Sequence, residues 1–299
     1  MVHRTAVIGL GAMGGGMARA ALAGGLEVLG LDRDAARAEA FAGEGGLAGS
    51  VEALGPTLDS VAVVVVNAAQ TEAAVFGEDG VAAHLREGAV VASCATMAPE
   101  DARRLAARAE AAGLLWLDAP ISGGAAKAAA GALSVMASGP RAAFEAAGPL
   151  LEACAETVFE LGEAIGAGSA MKAVNQLLAG THIAAMGEAV VFAAKLGIAP
   201  ETTVEVISRC AGTSWMFENR GPHVVEADYE PRSAVDIWLK DLGIVTEIAR
   251  AEKTPVPLAA AALQQFIAAS GAGLGRWDDA AVAKVYARGA GVALPGDDA

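Results

Sequence analysis

The chain has 299 residues, 54% of them hydrophobic, which is enough apolar material for one large or two ordinary domains with a sizeable core. Its 35 acidic residues outnumber 21 basic ones, for a net charge of −14, and a surface of that sign excludes a nucleic-acid partner, whose phosphates need a basic face. The opening residues MVHRTAVIGL lack a signal-peptide layout and already read as a strand, so the sequence predicts a cytoplasmic protein.

Residues 4–9 form a short apolar run that leads at once into Gly9-Leu10-Gly11-Ala12-Met13-Gly14 and then a helical pattern through Leu22. Glycines in a strand-to-helix turn let backbone N–H groups approach a pyrophosphate at the positive end of the helix dipole. A second strand, 27–31, ends at Asp32, where a carboxylate would accept hydrogen bonds from an adenosine ribose. These features predict a dinucleotide site. Asp32 favours NAD by repelling a 2′-phosphate, while the neighbouring Arg33 could stack on adenine or attract that phosphate, which leaves NADP open.

Strands at 61–66, 89–93 and 114–118 alternate with helical stretches at about 71–86 and 100–112, as in a parallel sheet covered on both faces. Ser122, Gly123 and Gly124 follow in a turn that could hold a carboxylate or simply connect a strand to a helix. Segments 132–137 and 157–161, around a helix at 141–153, are expected to extend the same sheet. From Gly166 to Lys195 runs a proline-free stretch that predicts one long helix, with Ser169 as its N-cap. Apolar residues lie on nearly every side of it, so other elements should surround it, and Lys172, Asn175, Gln176, His182 and Glu188 interrupt it too often for a membrane span.

Lys172 and Gln176 share a face of this helix, with Asn175 three residues on from the lysine. The lysine either snorkels to solvent or is held out of water for proton transfer. His182 reads either as a core residue or as a rival base. Beyond Pro200 the pattern is helical, broken at Gly212, Gly221-Pro222, Pro231 and Pro255 to Pro257, with Trp215, Met216 and Phe217 as a core patch or a pocket lid and a frayed tail from Gly289. The fold class is therefore α/β: a Rossmann-type doubly wound sheet over 1–164 and a second, all-helical domain over 165–299, joined by a long interdomain helix. Its apolar face suggests a homodimer or homotetramer.

Cys94, Cys154 and Cys210 are odd in number and far apart, which predicts buried free thiols instead of disulfides or a zinc site. His3, His84, His182 and His223 form no ligand pair, so no metal is expected. The only tyrosines, Tyr229 and Tyr286, are followed four residues on by Ser233 and Ala290, which excludes the Tyr-x-x-x-Lys dehydrogenases.

Three motifs, GLGAMGGGMA at 9–18, DAPISGG at 118–124 and GAGSAMKAVNQ at 166–176, resemble in order and spacing the β-hydroxyacid dehydrogenase family, which includes 3-hydroxyisobutyrate dehydrogenases and tartronate semialdehyde reductases. The stretches VNAAQ at 66–70, QLLAGTHIAA at 176–185, AGTSWMFENR at 211–220 and PRSAVDIWLKDLG at 231–243 look most like the branch that oxidises the sugar acid L-threonate with NAD. The resemblance implies a catalytic role for Lys172, a substrate-carboxylate site at Ser122, Gly123 and Gly124, substrate contacts from Asn175 and Gln176, and cofactor contacts from Asn67, Thr96 and Lys240. Two residues depart from the pattern. Gln176 stands where the family usually has asparagine, and Ala95 stands where a serine usually precedes the threonine.

Overall fold

The computed structural model describes residues 2–297. It falls into two compact units, one ending at Lys172 and the other beginning at Ala173, so the division lies inside a helix.

The first unit opens with β1 (Arg4–Ile8), α1 (Ala12–Ala23), β2 (Glu27–Leu31), α2 (Ala35–Gly43) and a single turn, α3 (Val51–Leu54). It continues with β3 (Ser60–Val63), α4 (Ala68–Phe76), β4 (Val90–Ser93), α5 (Pro99–Ala111) and β5 (Leu115–Asp118). Local chemistry explains the boundaries. Asp34 and Asn67 cap α2 and α4 by accepting from Ala36 and Gln70 N–H, and Pro99 opens α5 at a position where no N–H is needed. The helix expected over 71–86 stops at Phe76, because Gly77 and Gly80 follow and a Cβ at Gly80 would lie 2.6 Å from the Val75 carbonyl oxygen.

The five strands make one parallel sheet in the order β2-β1-β3-β4-β5. Successive side chains point to opposite faces, and both faces are dry. Val7, Val28, Ala62, Ala92 and Leu117 join residues of α1 and of the later helix Arg141–Cys154 in one core, while Ala6, Leu29, Val61, Val91 and Trp116 join α4 and α5 residues in another. The strand order reverses between β1 and β3, which creates the crevice of a doubly wound Rossmann sheet.

After β5 come β6 (Ile121–Ser122), α6 (Gly124–Ala129), β7 (Leu133–Ala137), α7 (Arg141–Cys154) and β8 (Ala155–Glu160). These strands do not extend the first sheet as expected. They form a separate three-stranded sheet, antiparallel between β6 and β7 and parallel between β7 and β8, touching β5 through one bridge, Asp118 to Ser138. Pro120, which has no N–H to donate, interrupts the ladder between the two sheets.

The long helix α8 (Ala167–Lys195) starts in the first unit and continues in the second. By length and composition it passes as a membrane span, yet half of its apolar window is buried in the protein. It is not surrounded on every side, because Met171, Val174, Leu178 and Phe192 are 45–66% exposed and lie along one stripe.

The rest of the second unit is α9 (Pro200–Ile207), α10 (Trp215–Val225), α11 (Val235–Ala251), α12 (Pro257–Ala269) and α13 (Ala283–Ala290), with single 3-10 and π turns between. Ile183, Met186 and Val190 of α8 pack with Trp238, Leu242 and Phe266. Gly180 has no side chain where Trp238 and Leu242 press to within 2.8–2.9 Å of a Cβ position, which lets α11 close on α8. Three expectations change here. α10 runs through Gly221-Pro222, because Gly221 packs tightly against Val204 of α9. Phe217 is core while Trp215 is 54% exposed. The tail is anchored near its end, not frayed from Gly289: Leu294 is buried, and Asp297 accepts from the Leu294 N–H and pairs with Lys284.

Candidate active site

At the end of β1 the chain turns through Gly9 at φ +90°, a conformation natural to glycine, and a Cβ there would lie 2.3 Å from the Val64 carbonyl oxygen. Gly14, in the first turn of α1, could not carry a Cβ at all, since it would sit 1.8 Å from the Gly9 oxygen. Gly11 differs. It caps α1, and the nearest neighbour to a Cβ there is the Arg37 guanidinium at 4.0 Å. One glycine makes the turn, another packs helix on strand, and the third leaves open space at a helix N-terminus. This arrangement fits a dinucleotide pyrophosphate, with Leu10, Ala12 and Met13 supplying the intervening backbone.

Asp32 follows β2, and its carboxylate is held by two backbone amides, Leu10 N–H at 2.7 Å and Asp34 N–H at 2.9 Å. Arg33 is exposed; the guanidinium that reaches the acid is Arg37, 3.8 Å from Asp32 and 3.5 Å from Asp34. Asn67 follows β3 and spends its side-chain oxygen on capping α4. Thr96 follows β4 and is half-buried. Because the strands are parallel, Gly9 to Gly14, Asp32, Asn67 and Thr96 all emerge at the same carboxyl edge of the sheet.

Ser122, Gly123 and Gly124 are the end of β6 and the start of α6, with φ +135° and +75° at the two glycines and open space beyond Gly124. Lys172 is only 7% exposed, so it does not snorkel to water. Ser169 is not the N-cap of α8. Its hydroxyl donates to Asp118 at 2.7 Å from within the helix, and the same carboxylate accepts the Ser169 and Gly166 N–H groups. Burial pushes the Asp118 carboxyl above its ordinary range, against the pull of these donors and of Ser138.

In the second unit Asn175 donates to the Gln176 carbonyl at 2.9 Å, and Gln176 in turn donates to Asp241. Lys240 is on α11 and pairs with the other Asp241 oxygen at 2.6 Å. Asp241 is therefore the residue that sequence reasoning missed. It is 2% exposed and joins two of the predicted site residues, and its signal was the adjacent Lys-Asp pair in WLKDLG. His182 is half-buried, and among the described residues no carboxylate lies within ion-pair distance of it. Arg220, His223 and Trp238 are tied up in a buried network with Asp278 and Asp279. Among the described residues no group of three or more His, Cys, Asp or Glu is arranged to hold a metal ion.

Residues 4–162 match the NAD binding domain of 6-phosphogluconate dehydrogenase, and residues 166–286 match the domain described as NAD-binding of NADP-dependent 3-hydroxyisobutyrate dehydrogenase. The chain is 48% identical over 297 residues to L-threonate dehydrogenase from Cupriavidus necator, covering 99% of each protein. It is 46% identical over 295 residues to L-threonate dehydrogenase from Haemophilus influenzae, covering 98% of this chain and 97% of that one. A crystal structure of a 3-hydroxyisobutyrate dehydrogenase from Salmonella typhimurium superposes with a TM-score of 0.90 at 45% identity, covering 95% of this chain and 99% of that one.

Proposed function

Because the chain belongs to the β-hydroxyacid dehydrogenase family, whose members include the 3-hydroxyisobutyrate dehydrogenases, we propose that it oxidises L-threonate to the corresponding 2-oxo acid with NAD, using Lys172 as the proton carrier. As an NAD(P)-dependent oxidoreductase acting on a hydroxy acid it takes a small-molecule substrate. The single observation that carries the mechanism is the burial of Lys172, an amine 7% exposed on a helix that begins in the same unit as the glycine turn.

When bound, the nicotinamide cofactor supplies the hydride acceptor. The glycine turn from Gly9 to Gly14 would hold its pyrophosphate and Asp32 its adenosine ribose, with Arg33, Asn67 and Thr96 at the same edge of the sheet, and the family resemblance adds Lys240 as a further cofactor contact. Lys172 accepts the substrate hydroxyl proton during oxidation and returns it during reduction, which is general acid–base work for a desolvated amine. Ser122 and the amides of Gly123 and Gly124 hold the substrate carboxylate so that the reacting carbon is presented in one orientation. Gln176 has its carbonyl engaged by Asn175 and its amide by Asp241, so Asn175 is the amide offered to the substrate oxygen while Gln176 braces it.

Lys172→Ala tests this reading. Turnover with L-threonate and NAD should fall by about 100-fold or more while NAD still binds, because a positioned acid or base contributes roughly 10²–10⁴-fold. Near wild-type turnover in that variant would remove the lysine from the mechanism. The name of the Salmonella structure favours a second reading, 3-hydroxyisobutyrate as substrate, and the ratio of kcat/KM for the two acids decides between them. A protein that binds NAD but reduces it with neither acid, nor with any other small hydroxy acid, would be a binding module instead. The exposed stripe of Met171, Val174, Leu178 and Phe192 supports a homodimer or homotetramer, and sedimentation showing only a monomer at micromolar concentration would count against it.

A further inference from the structure

Building on the reading of Lys172 as proton carrier, we propose that Asp118 is its positioning residue, a buried carboxylate that ties the first turn of α8 to the chain segment leading into the Ser122–Gly124 turn. The first amides of a helix have no partner within it. At α8 they find partners outside. Gly166 and Ser169 N–H donate to one Asp118 oxygen at 3.1 and 2.9 Å, Gly168 N–H donates to the Ser138 hydroxyl at 3.0 Å, and Ala167 N–H reaches the Ala164 carbonyl at 3.3 Å. The Ser169 hydroxyl donates to the second Asp118 oxygen at 2.7 Å, and the Ser138 hydroxyl to the first at 3.3 Å. Asp118 serves only as an acceptor, the role of the ionised carboxylate, and an anion at a helix N-terminus is favoured by the helix dipole.

The backbone closes the same joint. Asp118 and Ser138 exchange main-chain hydrogen bonds at 2.8 and 3.0 Å. Gly168 packs so close that a Cβ would lie 2.4 Å from the Met136 oxygen and 2.7 Å from the Asp118 oxygen. Asp118 stands four residues before Ser122, and Ser169, which it grips through both N–H and hydroxyl, stands three before Lys172. One carboxylate therefore fixes two segments whose separation must match the span between a substrate's carboxylate and its reacting hydroxyl. Slippage of α8 by a fraction of a turn would move the amine without emptying the nucleotide site.

The test is a double-mutant cycle of Asp118→Ala with Lys172→Ala in the full-length protein, alongside Asp118→Asn, which keeps the size and one acceptor. Asp118→Ala should lose about 100-fold in kcat, the scale of an ångström's misplacement, while the NAD dissociation constant measured by fluorescence quenching without substrate moves less than about threefold. Asp118→Asn should recover most of that rate, and the double variant should be no slower than Lys172→Ala alone. Should Asp118→Ala not fold, Asp118→Asn and Ser169→Ala run through the same cycle, with smaller losses that are again absent when Lys172 is gone. Wild-type kcat in every Asp118 variant, a matching loss of NAD affinity, or losses that add to that of Lys172→Ala would overturn the proposal. Those outcomes differ from wild-type turnover in Lys172→Ala alone, which would instead overturn the proton-carrier reading and remove the role assigned to Asp118 with it.

Discussion

The glycine turn separates two jobs that a single sequence motif conflates, and a pair of alanine substitutions tells them apart. In Gly14→Ala the new methyl would start 1.8 Å from the Gly9 carbonyl oxygen, whereas real Cβ atoms do not come closer than 3.0 Å, so strand turn and helix must part by at least about 1.2 Å. The obstructing atom is backbone and cannot swing aside. Forced overpacking of this kind costs about 3 kcal/mol, and at roughly 2–4 °C per kcal/mol for a unit of this size the melting temperature should fall by about 6–12 °C. Gly11→Ala meets only the Arg37 guanidinium at 4.0 Å and loses no more than a cap preference, under about 1 kcal/mol. Its methyl intrudes instead on the approach to the pyrophosphate, so NAD affinity should fall about tenfold or more, a loss of at least 1.4 kcal/mol of binding. Calorimetric melting and isothermal titration with NAD read the two effects on the same samples. A Gly14→Ala protein that melts like wild type, or a Gly11→Ala protein that binds NAD like wild type, would refute this division of labour.

Asp32→Ala should raise the ratio of NADP to NAD in kcat/KM, since it removes the carboxylate that repels a 2′-phosphate and one of the two acids that pair with Arg37, leaving only Asp34; an unchanged ratio would remove Asp32 from cofactor choice. Arg220→Gln should cost about 3–5 kcal/mol in urea unfolding, because it leaves the fully buried Asp279 without its cation, and Asp279→Asn in that background should restore part of the loss. Burial pushes the Cys94 and Cys154 thiols from 9.0 up to about 12, so in the native protein a thiol reagent at neutral pH should label exposed Cys210 alone and reach the other two only on unfolding. In this case the unfolded chain loses its thiol protons first. Each buried thiol thus gives stability that is intact below pH 9 and drains away as the pH climbs toward 12, at about 1.4 kcal/mol per pH unit, which urea titrations across that range would register.

The parts legible in the sequence were those whose cause is local. Strand periodicity, the Gly9–Gly14 turn and the long run of α8 each depend on neighbours within a few residues, and the structure carries all three. What escaped depends on partners far away in the chain. Ser169 has the chemistry of an N-cap, yet Asp118, 51 residues earlier, takes that role. Gly221-Pro222 looks like a helix breaker until α9 is seen packed against it, and the Gly/Pro/Asp tail looks frayed until Lys284 is found gripping Asp297. Asn67 stands in the VNAAQ stretch that carries the family resemblance, yet its side-chain oxygen accepts from the Gln70 N–H three residues on. Asp241 could not be singled out by spacing, because its contact with Gln176 spans 65 residues. The break between the two sheets falls at Pro120, whose missing N–H matters to strand pairing only because Met136, 16 residues on, lies opposite it.

Helix ends normally breathe, and their amides trade protons with water through local opening. The front end of α8 is built differently, since its first four N–H groups all have acceptors and two of those acceptors belong to the floor beneath it. Gly168 and Ser169 should therefore exchange deuterium only when the whole unit opens. If Lys172, one turn along such a helix, carries the proton as proposed, its backbone should move only with the unit as a whole, and any motion the catalytic cycle requires would come from elsewhere.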